Sequence, residues 1–422
     1  MLAGGREALK LPHLEAEFSW RSLLLQELRF YRIDLTGLTL DLRRSRDGQF
    51  DIGGIPIDLT DPERNFSKWL LRQSRVHIAD AELVWRDELR DALPLTLQKV
   101  DLLIENRRNE HRLSGRGDPP ASLARAVVVE ASLEARDTDD PATWNGSVAV
   151  EVPGVAFPVL KPWLALPGQP ESGWGAVRAT LGVKAGALHS AGAGIDLRDV
   201  ALPLATDRPP LQVQRLRGQV LWQPTDKGQS LDLRNLRVDL PGQAETAPFH
   251  LGLSWQEQAR ELRVRALVLD GWQSLWPSLP LDDALRVRLA RLDPRGQIDA
   301  LTLGWQGARP GLHNFRVDAR VRGLRVAADG SQPGVTNLSG RVAGDARGGE
   351  FAIDARAFML DLPTVMREPA LRFDEFQANG RWQKTANGHR FILNTARFAN
   401  ADLAGELISL AEEEAKHAAE PA

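Results

Sequence analysis

The chain has no cysteine, one tyrosine and three methionines among its 422 residues. Without thiols there can be no disulfide scaffold, no thiolate zinc or iron–sulfur site and no cysteine nucleophile. No apolar run approaches the ~18 residues of a membrane span, and the first residues show no charged-then-apolar secretory signal. An excess of charge is also missing. Lys and Arg total 53 against 56 Asp and Glu, for a net charge of −3. That removes the bulk electrostatic case for a nucleic-acid partner. The 43% hydrophobic and 26% charged residues describe a folding chain, too apolar for disorder and too charged for immersion in lipid.

Catalytic signatures are scarce as well. The eight histidines (13, 77, 111, 189, 250, 313, 389 and 417) never fall at His-x-x-x-His spacing. One Glu-x-x-His pair, Glu414 with His417, stands alone in an acidic tail and reads as a solvated helix face. There is no Gly-x-Ser-x-Gly nucleophile elbow and no phosphate-cradling Gly-Lys-Ser/Thr loop. Gly192-Ala193-Gly194 begins a dinucleotide pattern, but Leu197 stands where the next glycine is required. Arg116-Gly117-Asp118 before two prolines reads as a turn. No cofactor and no metal are expected, and no enzymatic activity. Twelve tryptophans, scattered singly, read as core or rim packing rather than sugar platforms.

What the chain does have is period-two alternation. Val317, Ala319 and Val321 are separated by Asp318 and Arg320; Leu38, Leu40 and Leu42 by Thr39 and Asp41. Phe351, Ile353 and Ala355 alternate with Ala352 and Asp354, and Leu262, Val264 and Ala266 with Arg263 and Arg265. Such strands have one apolar and one wet face, as antiparallel sheets require. Turn pairs punctuate them, among them Asp47-Gly48, Pro241-Gly242, Asp329-Gly330, Gly348-Gly349 and Asn387-Gly388. Helical patterns are few: one opened by Asp61-Pro62-Glu63 with Phe66, Trp69 and Leu70 on a face, then residues 157–166, 271–276 and 281–292. A loose repeat links Leu216–Trp222, Leu338–Gly344 and Phe376–Trp382, each with a glycine before a strand. A unit that cannot bury its own apolar face, repeated, suggests a stack. The expected fold is mainly β: an elongated, twisted antiparallel sheet curled into an open apolar groove, with a few short helices.

The stretch Leu14–Leu24, followed by Leu28-Arg29-Phe30, Ile33-Asp34-Leu35, Leu38–Leu42 and Arg46-Asp47-Gly48-Gln49-Phe50, resembles the AsmA-type N-terminal module. Val76–Trp85, Trp174–Ala179, Leu281–Trp305 around Leu292-Asp293-Pro294-Arg295-Gly296, and Leu360–Pro363 resemble the YhdP branch of that superfamily. The order of these segments, up to about Gly405, carries the resemblance. It implies three parts: an AsmA-like β module over 1–60, a continuing repeating β-groove over 61–407, and an acidic helical or disordered tail over 408–422. It further implies a bridge-type lipid-transfer protein of the Gram-negative envelope. Phospholipid acyl chains would slide along the apolar lining, in the periplasm, with an anchor or partner at the inner membrane in the full-length parent. Since that anchor is absent from this sequence, the chain is expected to be an N-proximal fragment, or a gene product cut short at both ends. The twelve alternating residues Leu38, Leu40, Leu42, Leu262, Val264, Ala266, Val317, Ala319, Val321, Phe351, Ile353 and Ala355 are the expected lining. An assembly scaffold for outer-membrane proteins, pairing client strands along exposed edges, is the competing function. A glycan-processing enzyme, a third class, would need a carboxylate pair in a cleft.

Overall fold

The computed structural model describes residues 13–18, 29–53, 55–57, 66–138, 140–163, 170–243, 245–279, 283–307, 314–329, 333–363, 370–385 and 388–408. Most of them lie in 23 β-strands, with only short helices between. The chain divides into two compact units, Met1–Pro203 with Gln212–Gln223, and Leu204–Leu211 with Pro224–Ala422.

The first unit begins with β1 (His13–Phe18), β2 (Phe30–Thr36), β3 (Thr39–Arg44), β4 (Phe50–Ile52), β5 (Ile55–Ile57) and β6 (Arg75–Asp87). Here are the two parallel pairings of the described residues. β2 runs beside the first part of β6 (Ile33 opposite Val76) and β3 beside the second (Leu40 opposite Leu83). Gly37 at φ 72° and Asp80 at φ 51° bend the two sides together between these halves. An antiparallel meander then runs from β6 through β7 (Leu95–Arg107), β8 (Glu110–Asp118), β9 (Val127–Ala135), β10 (Trp144–Ala156), β11 (Ser172–Lys184) and β12 (Ala187–Leu202). The second unit repeats it with β14 (Gly228–Asp239), β15 (Phe249–Gln256), β16 (Ala259–Val268), β17 (Arg295–Gln306), β18 (Phe315–Val326) and β19 (Gly334–Asp345), then β20 (Gly348–Asp361), β21 (Ala370–Thr385), β22 (Gly388–Ala399) and β23 (Ala404–Ile408). β13 (Leu211–Thr225) falls mostly in the first unit.

In each unit the two ends of the strands differ. One carries two-residue hairpins such as 185–186, where Ala185 (φ 51°) and Gly186 (φ 72°) are both left-handed, the geometry that matches strand twist. It also carries eight-residue connections at 136–143 and 307–314, and the other end carries 119–126 and 157–171 in the first unit and 269–294 in the second. The described parts of all four expected helical segments sit in connections, while Asp61-Pro62-Glu63, 164–166 and 281–282 lie outside the described residues. Those parts are α1 (Phe66–Arg72), α2 (Phe157–Leu160), a 3₁₀ turn at Trp272–Ser278 and α3 (Asp283–Leu292). Further 3₁₀ turns occur at Glu88–Arg90 and Pro141–Thr143. Ile408 still belongs to β23; the rest of the acidic tail lies outside the described residues, as does Asn387 of the expected turn.

The long strands are creased. Left-handed residues interrupt β16 at Ala266, β17 at Gly296, β18 at Gly323, β19 at Asn337 and β20 at Ala357. The interruptions on β17–β20 lie side by side. A Cβ on Gly296 would meet the Gly323 carbonyl at 2.5 Å, and the Asn337 side-chain amide donates to the Arg356 carbonyl at 2.6 Å. In the first unit Lys99, Gly154, Gly173 and Asp199 do the same on β7, β10, β11 and β12. A bulge bends its strand and tightens the local twist, so adjacent bulges curl the sheet.

Candidate binding face

Residues opposite one another on paired strands share a face, so the register can be followed strand to strand. In the second unit one row runs Leu233, Leu251, Val264, Leu301, Ala319 and Val342, reaching Phe351 on β20. Beside it runs Leu231, Leu253, Leu262, Leu303 and Val317. A third holds Ile298, Val321, Gly340, Ile353, Ala378 and Ala396. The first unit shows the same design in Ile78, Leu102, Gly115, Val129, Val150 and Ala179. The face between hairpin end and crease is apolar from strand to strand.

Burial agrees with register. Along β18, Val317 and Val321 are half-buried and Ala319 buried, while Arg316, Asp318, Arg320 and Arg322 are exposed. Most of the face is only half-covered, and Leu393 and Phe391 on β22 are 43% and 69% exposed. Its large side chains lie flat on glycines of the neighbouring strand. A Cβ on Gly380 would stand 2.6 Å from the Phe351 ring, one on Gly405 2.7 Å from Phe398, and Gly344 and Gly349 are both overlain by Trp382. Rings folded onto the sheet leave the space above it open. Phe358, Phe373, Phe376 and Phe398 continue the face beyond the crease, with centroid separations of 4.9–6.1 Å.

Of the twelve expected lining residues, Val317, Ala319, Val321, Phe351, Ile353, Ala355, Leu262 and Val264 fall on this face of the second unit. Three need correction. Leu38 is 2% exposed and Leu40 packs beside it, in the cluster of Ile33, Val76, Ile78, Ala81 and Val100 beneath Trp69 and Leu70 of α1. They form a covered core rather than an open lining. Ala266 stands at the crease with φ 58°, so the strand shifts phase and Leu267, opposite Ile298, takes the position on the face. Leu42 lies between Ile52 and Trp85 in the first unit. Sequence reading missed Leu301, Leu303, Val342 and Leu253; extending the alternation to every strand would have found them.

The opposite face is charged and internally paired. Arg341 donates twice to the Asp318 carboxylate, at 2.9 and 2.6 Å, and Arg215 twice to Asp196, at 2.8 and 2.6 Å. These hydrogen bonds hold both carboxyls below their ordinary range, against a smaller opposing effect of burial. Cavities occur there too. One of about 910 Å³ at the hairpin end brings Glu110 opposite Glu134 among Arg107, Arg108 and Arg136. Both carboxylates are exposed, and Glu110 pairs with Arg112 at 3.4 Å. That is a solvated charged surface rather than a catalytic cleft. No group of three or more potential metal ligands occurs among the described residues.

Within each unit, a creased sheet with one apolar face and one salt-bridged face makes an open β-groove architecture. The chain belongs to the YhdP protein family, whose profile matches residues 2–419. That is a bacterial envelope family of transport type rather than an enzymatic one. No curated protein and no solved structure matches the chain. Among the described residues no helix is long and apolar enough to cross a membrane.

Proposed function

We propose that the apolar face carries phospholipid acyl chains, and that the chain is a non-enzymatic segment of a bridge moving phospholipid between the two membranes of a Gram-negative envelope. The observation that carries this reading is the unbroken run of apolar register rows, half-covered by protein. Strands lie ~4.8 Å apart, so a row crossing them offers a hydrocarbon chain a continuous path without a polar step. Each methylene removed from water is worth ~0.8 kcal/mol. An extended acyl chain therefore binds firmly even when half-covered, and because the force is non-directional it can slide. The reading calls for a periplasmic location, an inner-membrane anchor or partner in the parent protein, and no nucleic acid.

The test is to purify the chain, extract it with organic solvent and weigh the extract by mass spectrometry. Phospholipid should be recovered in stoichiometric amount. A lipid-free chain that also fails to take up phospholipid from vesicles would reject the reading and return the scaffold role.

A further inference from the structure

The register rows that reach the hairpin end of β15–β18 finish differently from the rest. The two inner rows hold only Leu, Val and Ala across β14–β18. The outermost row instead places Trp255 opposite Arg260, Arg260 opposite Trp305, and Trp305 opposite Phe315. Arg260 is exposed, while its aromatic neighbours are half-buried. The row lies two residues, ~7 Å, beyond Leu253, Leu262, Leu303 and Val317. In those three rows Arg260 is the one charged side chain.

We infer that Arg260 is a headgroup contact: it receives the phosphate of a phospholipid whose acyl chains lie on the adjoining leucines. This rests on the acyl-chain reading above and names the part of the ligand that reading leaves open. Three features argue for it. A guanidinium presents a planar fork that matches phosphate oxygens in pairs, and such charge-assisted bonds are the strong ones. Tryptophan suits a boundary with one apolar and one wet side, where glycerol and ester groups would lie. The separation from the leucine rows is also about what divides a phosphate from the first methylenes of its chains. In the first unit, the hairpin-end positions of the apolar face in β7–β10 hold Asn106, His111, Ala135 and Trp144, with no fixed cation. The first unit thus offers no equivalent of the Arg260 site at β7–β10.

The experiment loads the full chain with dioleoylphosphatidylglycerol or with dioleoylglycerol, which lacks the phosphate, and measures retention by native mass spectrometry for wild type, Arg260→Gln and Arg260→Lys. Folding is checked by circular dichroism. Arg260→Gln should retain about tenfold less phosphatidylglycerol, the size expected when a charge-assisted hydrogen bond is partly replaced by water, with dioleoylglycerol unchanged. Arg260→Lys should fall between, and it carries the comparison if the Gln variant does not fold. Equal retention of phosphatidylglycerol by all three, or an equal loss of both lipids, overturns the headgroup role while leaving the groove intact. Failure of wild type to hold either lipid defeats the groove reading itself. Inorganic phosphate bound through Arg260 in the absence of lipid would make it a free-anion site and also overturn the proposal.

Discussion

Two regions of the molecule are built from the same alternation and end differently. At β2, β6 and β7 the apolar face is covered: Ile33, Val76 and Ile78 are 5%, 3% and 8% exposed, with Trp69 and Leu70 of α1 packed against them. At β17–β22 small residues such as Ala319, Ala355, Ala378 and Ala396 are buried, but Leu301, Leu303, Val317 and Val321 are half-covered, and Phe391 and Leu393 stand open. The strands are not more hydrophobic in one place than the other. What differs is a seven-residue helix in the connection before β6. The first region closes its apolar surface into a core; the second leaves much of it uncovered, as the proposed lipid path requires.

The comparison can be broken by placing the same charge in both regions. Val76→Asp buries a carboxylate in a closed core and should cost more than ~4 kcal/mol, enough to unfold that part of the first unit. Val317→Asp puts it on an open face where water can reach it. Its melting temperature should stay close to wild type while lipid load falls to background. If Val317→Asp unfolds the chain as Val76→Asp does, the face is a structural core and the distinction fails. If it folds and still carries a full lipid load, the path does not cross β18.

A smaller effect tests what holds the cover down. Gln73, at the end of α1, is completely buried; its Oε1 accepts the Phe30 backbone N–H at 2.7 Å and its Nε2 donates to the Trp69 carbonyl at 2.6 Å. The Asn106 side-chain amide donates to the Leu70 and Gln73 carbonyls at 3.1 and 2.7 Å. Gln73→Ala leaves the Phe30 N–H buried without a partner, a loss of about 1–3 kcal/mol. Hydrogen exchange should show residues 66–72 and 30–36 opening together, with lipid load at β15–β22 unchanged. Exchange that rises across the second unit as well would show that α1 is not a local cover.

The open region was the more legible of the two in sequence. In Arg316–Arg322 charge and hydrocarbon alternate without a break, and a slip of one residue would have inverted every side chain, so the face could be assigned directly. Ala266 defeated the same reasoning, and Ala357 on β20 is left-handed in the same way. Alanine carries no local signal for the left-handed conformation, which is imposed there by neighbouring strands, and beyond each one the phase of the strand shifts. The parallel pairing of β2 and β3 with β6 spans about forty residues and leaves no periodic trace. Leu38 looked like a lining residue because alternation reports which residues share a face and says nothing of what packs over it. Arg260 escaped notice because the strand was read from Leu262; its position on the apolar face emerges only when Trp255 and Trp305 are brought beside it.

The smallest expected effect sits at the border of the covered region, on His111. The ring is 5% exposed, on the apolar face opposite Leu133, and stacks on Trp144 at 5.8 Å between centroids with an interplanar angle of 11°. Because Asn106 commits its amide hydrogens to two carbonyls, its Oδ1 is the acceptor, and His111 Nδ1–H donates to it at 2.8 Å. Nε2 is buried without a partner, so a second proton there would be a charge in an apolar setting. Burial accordingly pushes the His111 pKa below its ordinary 6.5. Between that ordinary value and the lowered one, the unfolded chain binds a proton that the folded chain refuses, so stability is complete above about pH 6.5 and declines as the pH falls. His111→Phe keeps a flat ring against Trp144 and removes the titration. Melting temperatures followed from about pH 7.5 to about pH 5 should fall more steeply for wild type than for the variant, by less than the Gln73→Ala effect. Parallel profiles would show that water reaches this ring, and would move the edge of the covered region from β8 back towards β6 and β7.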